Sequence, residues 1–132
     1  MDISKFNEID AQHEQAVTGT IYQPDGEPFR ADDRSECTVS VVSEYSQRVQ
    51  DAITDHDRKA MKRGRQADPV DVVKTRRLAR AAAAVVGWHG WTANGEPWPC
   101  TPENVRAFLA SPHRLEQVEA LIAKHAGFFV KA

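Results

Sequence analysis

A chain of 132 residues makes one domain and leaves no room for a second of ordinary size. Its composition, 41% hydrophobic and 27% charged, is that of a globular protein, and no stretch approaches the roughly 18–20 consecutive apolar residues of a membrane span. The net charge of −2 hides a split: residues 1–57 carry 4 basic and 13 acidic side chains, residues 58–80 carry 9 and 2, and residues 81–132 carry 4 and 4.

The opening Met1-Asp2-Ile3-Ser4-Lys5 has neither the basic nor the apolar region of a secretory signal. Cys37 and Cys100 form no CxxC pair, and a leaderless chain of this kind is expected in the cytoplasm with free thiols. Residues 1–14 are polar with two apolar anchors, Phe6 and Ile9, and read as one helical turn or a loose terminus. From Gln15 the pattern changes: Val17, Gly19 and Ile21 alternate with Thr18, Thr20 and Tyr22, which reads as a strand. Pro24-Asp25-Gly26 is a turn signal, and Cys37, Val39 and Val41 alternate with Thr38 and Ser40 as a second half-buried strand. Residues 15–42 are therefore expected to form a small antiparallel β-hairpin or sheet of two or three strands.

Residues 43–129 read as helical. Ser43 is the expected N-cap of a helix running to about Arg63, with Tyr45, Val49, Ala52, Ile53, His56 and Ala60 on one stripe and Gly64 ending it. Asp68-Pro69 opens a second helix, expected to reach Gly87 through the alanine tetrad Ala81–Ala84. Thr101-Pro102 caps a short third helix, and Ser111-Pro112 a fourth that is expected to stop at Gly127. The expected fold is one α+β domain, mainly α-helical with about four helices and a small N-terminal antiparallel sheet.

No catalytic motif is present. His13, His56, His89, His113 and His125 fall in no HExxH or paired-ligand spacing, and no glycine-rich phosphate loop occurs. His89 and Cys100 could share a metal, but two ligands do not make a zinc site, and packing within the loop is the competing reading. Asp55-His56-Asp57 has the composition of acid–base machinery, yet neighbours at i,i+1 on a helix point apart, so a solvated face is expected. Neither cysteine has a local base to make it a nucleophile. An enzyme is not expected, and no catalytic, cofactor-binding or metal-binding residue is assigned.

Two segments stand out. The cations between Arg58 and Arg80 are a nucleic-acid footprint by charge, and Arg58, Lys62, Arg63, Arg76, Arg77 and Arg80 are candidates for electrostatic docking. No aromatics interleave them and the whole chain is slightly acidic, so complementation by the acidic N-terminal block, within the chain or across subunits, is the competing reading. The second segment, Gly87–Cys100, holds all three tryptophans. Trp88 is expected to pack back on the preceding helix, whereas Trp91 and Trp98 are expected to be partly exposed. With Phe108, Phe128 and Phe129, these tryptophans are the candidate partner-binding residues.

Val85-Val86-Gly87-Trp88-His89-Gly90-Trp91, then Asn94-Gly95-Glu96-Pro97 and Thr101-Pro102-Glu103-Asn104, closing with Phe108-Leu109 and Phe128-Phe129, resembles the tail assembly chaperones of long-tailed bacteriophages. In that group a helix with an aliphatic-aliphatic-x-Trp-x-Gly end runs into a short loop and two closing helices. The similarity extends over most of Gln15–Phe129, and Val85–Asn104 is its pattern-specific part. The chain departs from the pattern at Trp98, where an aliphatic residue is usual, and at Cys100, where an aromatic is usual. The resemblance implies a non-enzymatic assembly factor made in the host bacterial cytoplasm and absent from the mature virion. It implies that the chain binds the tape measure protein and helps recruit tail tube subunits. A homo-oligomer is the expected state, because a small edge-bearing sheet and an Ala-rich helix both gain from neighbours. The alternative is a small nucleic-acid-binding regulator using Arg58–Arg80.

Overall fold

The computed structural model describes residues 2–129, so Met1 of the N-terminal segment lies outside it. Within those residues the chain is α+β and mainly helical, with five α-helices and an antiparallel three-stranded sheet. The helix beyond the expected four is α1 (Phe6–His13), preceded by a 3₁₀ turn that Asp2 caps by accepting from the Ser4 N–H. Strands β1 (Val17–Thr20) and β2 (Thr38–Val41) pair antiparallel, with Val17 opposite Val41 and Thr20 opposite Thr38. The segment between them adds only isolated bridges, Tyr22 to Pro28 and Arg30 to Glu36.

The third strand comes from elsewhere. Helix α2 (Gln47–Arg63) and helix α3 (Pro69–Ala84) form an antiparallel pair, and α3 passes directly into β3 (Val85–His89). Strand β3 pairs with β2, Val39 facing Trp88 and Val41 facing Val85 across a bulge at Ser40/Val41. The helix therefore does not reach Gly87. Ala84 is followed by two β-branched valines beside the open edge of β2, and ladder pairing there outweighs one more helical turn. The Val42 N–H donates to the Ala84 carbonyl, so one orphaned group of the helix end is satisfied by the sheet.

Helix α2 also begins later than expected. Ser46, with extended backbone, is the true cap and its hydroxyl accepts from the Val49 N–H. Ser43 instead holds a turn, accepting from the Tyr45 N–H and bonding to the His13 ring, which leaves Tyr45 exposed and outside the helix. The three helices that begin with proline start where Asp68-Pro69, Thr101-Pro102 and Ser111-Pro112 place them: α3, α4 (Pro102–Leu109) and α5 (Pro112–Ala123). Helix α5 ends at Ala123 rather than Gly127, and a 3₁₀ turn over His125–Phe129 follows.

The core lies between the sheet and the C-terminal helices. Val39 and Val41 of the sheet meet Ala81 and Ala84 of α3, Val105, Phe108 and Leu109 of α4, and Val118 and Ile122 of α5. Gly19 gives β1 a close approach to α5: a Cβ there would stand 2.7 Å from Leu121 Cδ1, and the leucine would have to shift. Among the described residues, no helix is long and apolar enough to cross a membrane.

Candidate functional site

A cleft of about 520 Å³ opens between α2 and α4, with α3 as its floor. Its origin is local. Ala52, Ala79, Ala82 and Ala83 carry no side chain beyond Cβ, so the helices meet closely at the backbone and leave space above. Val85, Val86 and Val105 complete an apolar wall. The rim is charged: Arg48 and Lys59 come from α2 and Arg106 from α4, with Asp55 and His56 between them. Asp55 sits 3.0 Å from Lys59, whose hydrogen bond and charge hold its carboxyl below the usual carboxylate range. One anion is thus already neutralised, and the rim presents a cationic surplus over an apolar floor.

Cys100 also lines this cleft, and burial pushes its thiol up, as it does for Cys37. Both cysteines are free. A thiol held protonated is a poor nucleophile and a poor metal ligand.

Two hydrogen-bonded chains look like catalytic relays and differ from one in proton placement. Ser35 lies between Asp33 and His89, donating to the carboxylate and bonding to His89 Nε2 at 2.9 Å, so the hydroxyl rather than the imidazole is the central group. In the second, His56 bonds Thr75 Oγ1 at 2.7 Å and Asp57 at 3.2 Å. This corrects the expectation that His56 and Asp57 point apart: the short Asp side chain and the ring Nδ1 meet at the helix surface. Thr75 Oγ1, however, donates to the Asp71 carbonyl at 2.8 Å, so its proton is already committed to its own helix. No group of three His, Cys, Asp or Glu side chains is placed to share an ion among the described residues.

The tryptophans form a cluster around Phe108 beside the cleft. Trp88, in β3 rather than at a helix end, stacks on Trp98 at 5.1 Å with rings 19° apart, and its Nε1 donates to the Trp98 carbonyl at 2.7 Å. Trp91 meets Phe108 edge-on at 4.8 Å, and its Nε1 donates to the Thr38 carbonyl at 3.1 Å. The Arg114 guanidinium lies 5.3 Å over the Phe108 ring. Trp91 and Trp98 are partly buried, and with Phe29 and Phe108 they line a shallow hollow of about 190 Å³. The loop is ordered by a hairpin, β4 (Thr92–Ala93) with β5 (Glu96–Pro97), turning through Asn94 and Gly95 at φ 52° and 80°. Phe129 packs on His125 at 5.1 Å, whereas Phe128 points outward and is more than half exposed.

The basic segment divides. Arg76 pairs with Asp57 at 3.1 Å, Arg58 and Lys59 reach Asp55, and Arg77 and Arg80 converge on Glu119 of α5. Asp55 and Asp57 close the acidic block of residues 1–57, so that block complements part of the basic segment within the chain, from α2 rather than from the sheet, and Glu119 of α5 complements the rest. Lys62, Arg63, Arg65 and Lys74 have no ion-pair partner among the described residues.

The aromatic residues expected from the sequence thus come together, except Phe128 and Phe129, which lie at the chain's other end. The cleft residues Arg48, Ala52, Lys59 and Arg106 were missed. The available signal was alanine at 79, 82 and 83, the i, i+3, i+4 spacing of one helical face. No family model, curated protein or solved structure matches this chain.

Proposed function

We propose that this chain is a non-enzymatic phage tail assembly chaperone, which binds the tape measure protein and helps recruit tail tube subunits, acting in the host bacterial cytoplasm and leaving before the virion is complete. The observation that carries the reading is the open cleft between α2 and α4. Its volume of about 520 Å³ lies within the roughly 300–1,000 Å³ of binding clefts, and its apolar floor and basic rim suit an amphipathic helix with acidic flanks. A long tape measure helix offers such faces repeatedly. Covering them during tail assembly requires burial of apolar area and no bond making.

The resemblance supplies the identity of the partner, and the Val85–Asn104 segment that carries it contributes Val85, Val86, Cys100 and Pro102 to the lining of this cleft. Co-expression with a tape measure fragment tests the reading. The wild-type chain keeps the fragment soluble, while Ala82→Phe, which fills the floor, and Arg106→Glu, which reverses the rim, return it to the pellet. A fragment that stays insoluble with the wild-type chain overturns the reading.

The second reading, a nucleic-acid-binding regulator, is favoured only by Lys62, Arg63, Arg65 and Lys74 at the α2–α3 corner. It requires salt-sensitive retardation of DNA or RNA that charge reversal at these positions abolishes.

A further inference from the structure

One face of α3 runs off the core. At about 100° per residue, Val70, Val73, Arg77, Ala81 and Ala84 share a stripe. Ala81 and Ala84 are fully buried, Arg77 is tied to Glu119 of α5, and Val70 and Val73 overhang at 60% and 67% exposure. Lys74 lies within about 40° of Val70 on the same face. Lys62, Arg63 and Arg65 crowd the adjoining turn. The end of the α2–α3 pair is therefore apolar and, with Lys62, Arg63, Arg65 and Lys74 against Asp68 and Asp71, net basic at once, and nothing among the described residues covers it.

The opposite chemistry occurs at the N-terminus. Ile3, Phe6 and Ile9 recur every third residue and are exposed at 75%, 49% and 39%. Asp10 falls about 40° to one side of Phe6, and Asp2, whose extended backbone caps the 3₁₀ turn, stands at the N-terminal end of the stripe. This is an apolar stripe in a net acidic setting, Asp2, Glu8 and Asp10 against Lys5, complementary in both respects to the overhanging end of α3.

The two surfaces do not cover each other within one molecule, since Ile3 stays 75% exposed and Val70 and Val73 stay 60% and 67% exposed. Helix α1 is anchored at the start of α2: His13 bonds Ser43 at 2.9 Å and the Gln47 N–H donates to Glu14 at 2.7 Å. The contacts His56–Thr75 and Asp57–Arg76 set the antiparallel register of α2 and α3, so Val70 lies level with the last turn of α2. The 17 residues of α2 span about 25 Å, which separates the anchor from the overhang.

We propose that the acidic N-terminal helix α1 of one copy docks on the overhanging basic end of the α2–α3 pair of a second copy, joining copies head to tail. Such a contact is heterologous, so each copy uses both surfaces. Apolar burial holds the contact, and the flanking charges fix its direction and exclude tail-to-tail pairing.

Sedimentation velocity on the full chain tests this with two charge-reversed variants, D2K/D10K on α1 and R65E/K74E on the overhang, both checked for folding by circular dichroism. The wild type associates with rising concentration, and this weakens about tenfold or more between roughly 50 and 500 mM salt. Each variant alone stays monomeric where the wild type associates, because its two surfaces now carry like charge. An equimolar mixture of the two associates again, since every contact between unlike variants is complementary. The proposal is overturned by a wild type that stays monomeric, by variants that associate as the wild type does, or by a mixture that stays monomeric. Retardation of DNA by a monomeric wild type, lost in R65E/K74E, would assign the overhang to nucleic acid and equally overturn it.

Discussion

Trp88 is locked to Trp98 twice: the rings stack at 5.1 Å, and the Trp88 indole N–H donates to the backbone carbonyl of the residue on which it stacks. The pair closes the loop between β3 and α4 onto Phe108. Stacking and hydrogen bonding are separable here, because the acceptor is main chain.

Trp98→Ala removes the stack and leaves a void beside Phe108. It is expected to cost about 2–4 kcal/mol, somewhat below a fully buried Trp→Ala, because Trp98 is only partly buried. Trp98→Phe keeps the carbonyl acceptor and part of the stack and costs less than half as much. Urea denaturation followed by tryptophan fluorescence and far-UV circular dichroism reads both. Equal losses for the two variants would show that the stack contributes little.

Gly90→Ala is expected to destabilise the chain by roughly 1–3 kcal/mol. Gly90 has φ +90°, and a Cβ there would stand 2.9 Å from Cys37 Sγ and 3.3 Å from Cys37 Cα. The backbone atom cannot swing aside as a side-chain tip does. Gly26→Ala is the control: its φ is also positive, but nothing lies within 4 Å, so it carries the conformational strain without the clash. Thermal melts that rank the two variants equally would remove the steric argument.

Acid weakens the α2–α3 contact. The hydrogen bond from His56, and then that from Arg76, holds the Asp57 carboxyl below the usual carboxylate range. A carboxyl whose folded pKa lies below its unfolded value of about 3.9 contributes stability that is complete above that pH. That contribution is lost as pH falls through the folded value. Asp57→Asn is therefore expected to lower the melting temperature slightly at neutral pH and to flatten its fall below about pH 4. The difference between wild type and variant should shrink to nothing at the lowest pH; a difference that grows there would contradict the assignment.

Native thiol labelling should distinguish the two cysteines. Burial raises both thiols, but Cys37 is the more enclosed, with its Sγ 3.4 Å from the Gly90 carbonyl, whereas Cys100 lines the open cleft. Cys100 is expected to react with a disulfide reagent at least about tenfold faster than Cys37, with both slower than an unfolded thiol. Occupation of the cleft by a partner helix should slow Cys100 alone. Mass spectrometry of the labelled chain resolves the two sites.

Each proline-started helix was legible because its signal is local: a capping side chain and a ring that presets φ act within one turn. The same holds for the Val39/Val41 alternation of β2. The N-cap of α2 was misplaced at Ser43, whose contact with His13 holds it in the turn before the helix, and Ser46 caps instead. Other features depend on partners distant in the chain. Val85–His89 continues a helix by its neighbours' propensity and is a strand because the β2 edge was available. Glu119 became the partner of Arg77 and Arg80 because α5 crosses α3 there.

The charge split of −9 over residues 1–57 and +7 over residues 58–80 was visible in the sequence alone, as was the aromatic crowding at Gly87–Cys100. Composition and local propensity determine how much charge and apolar area the chain must accommodate. Only the tertiary structure decided where they go: aromatics inward around Phe108, alanines beneath an open cleft, and Val70 and Val73 past the end of the core. Burial is a property of contacts between elements distant in sequence, and no local pattern encodes which element stops short of which.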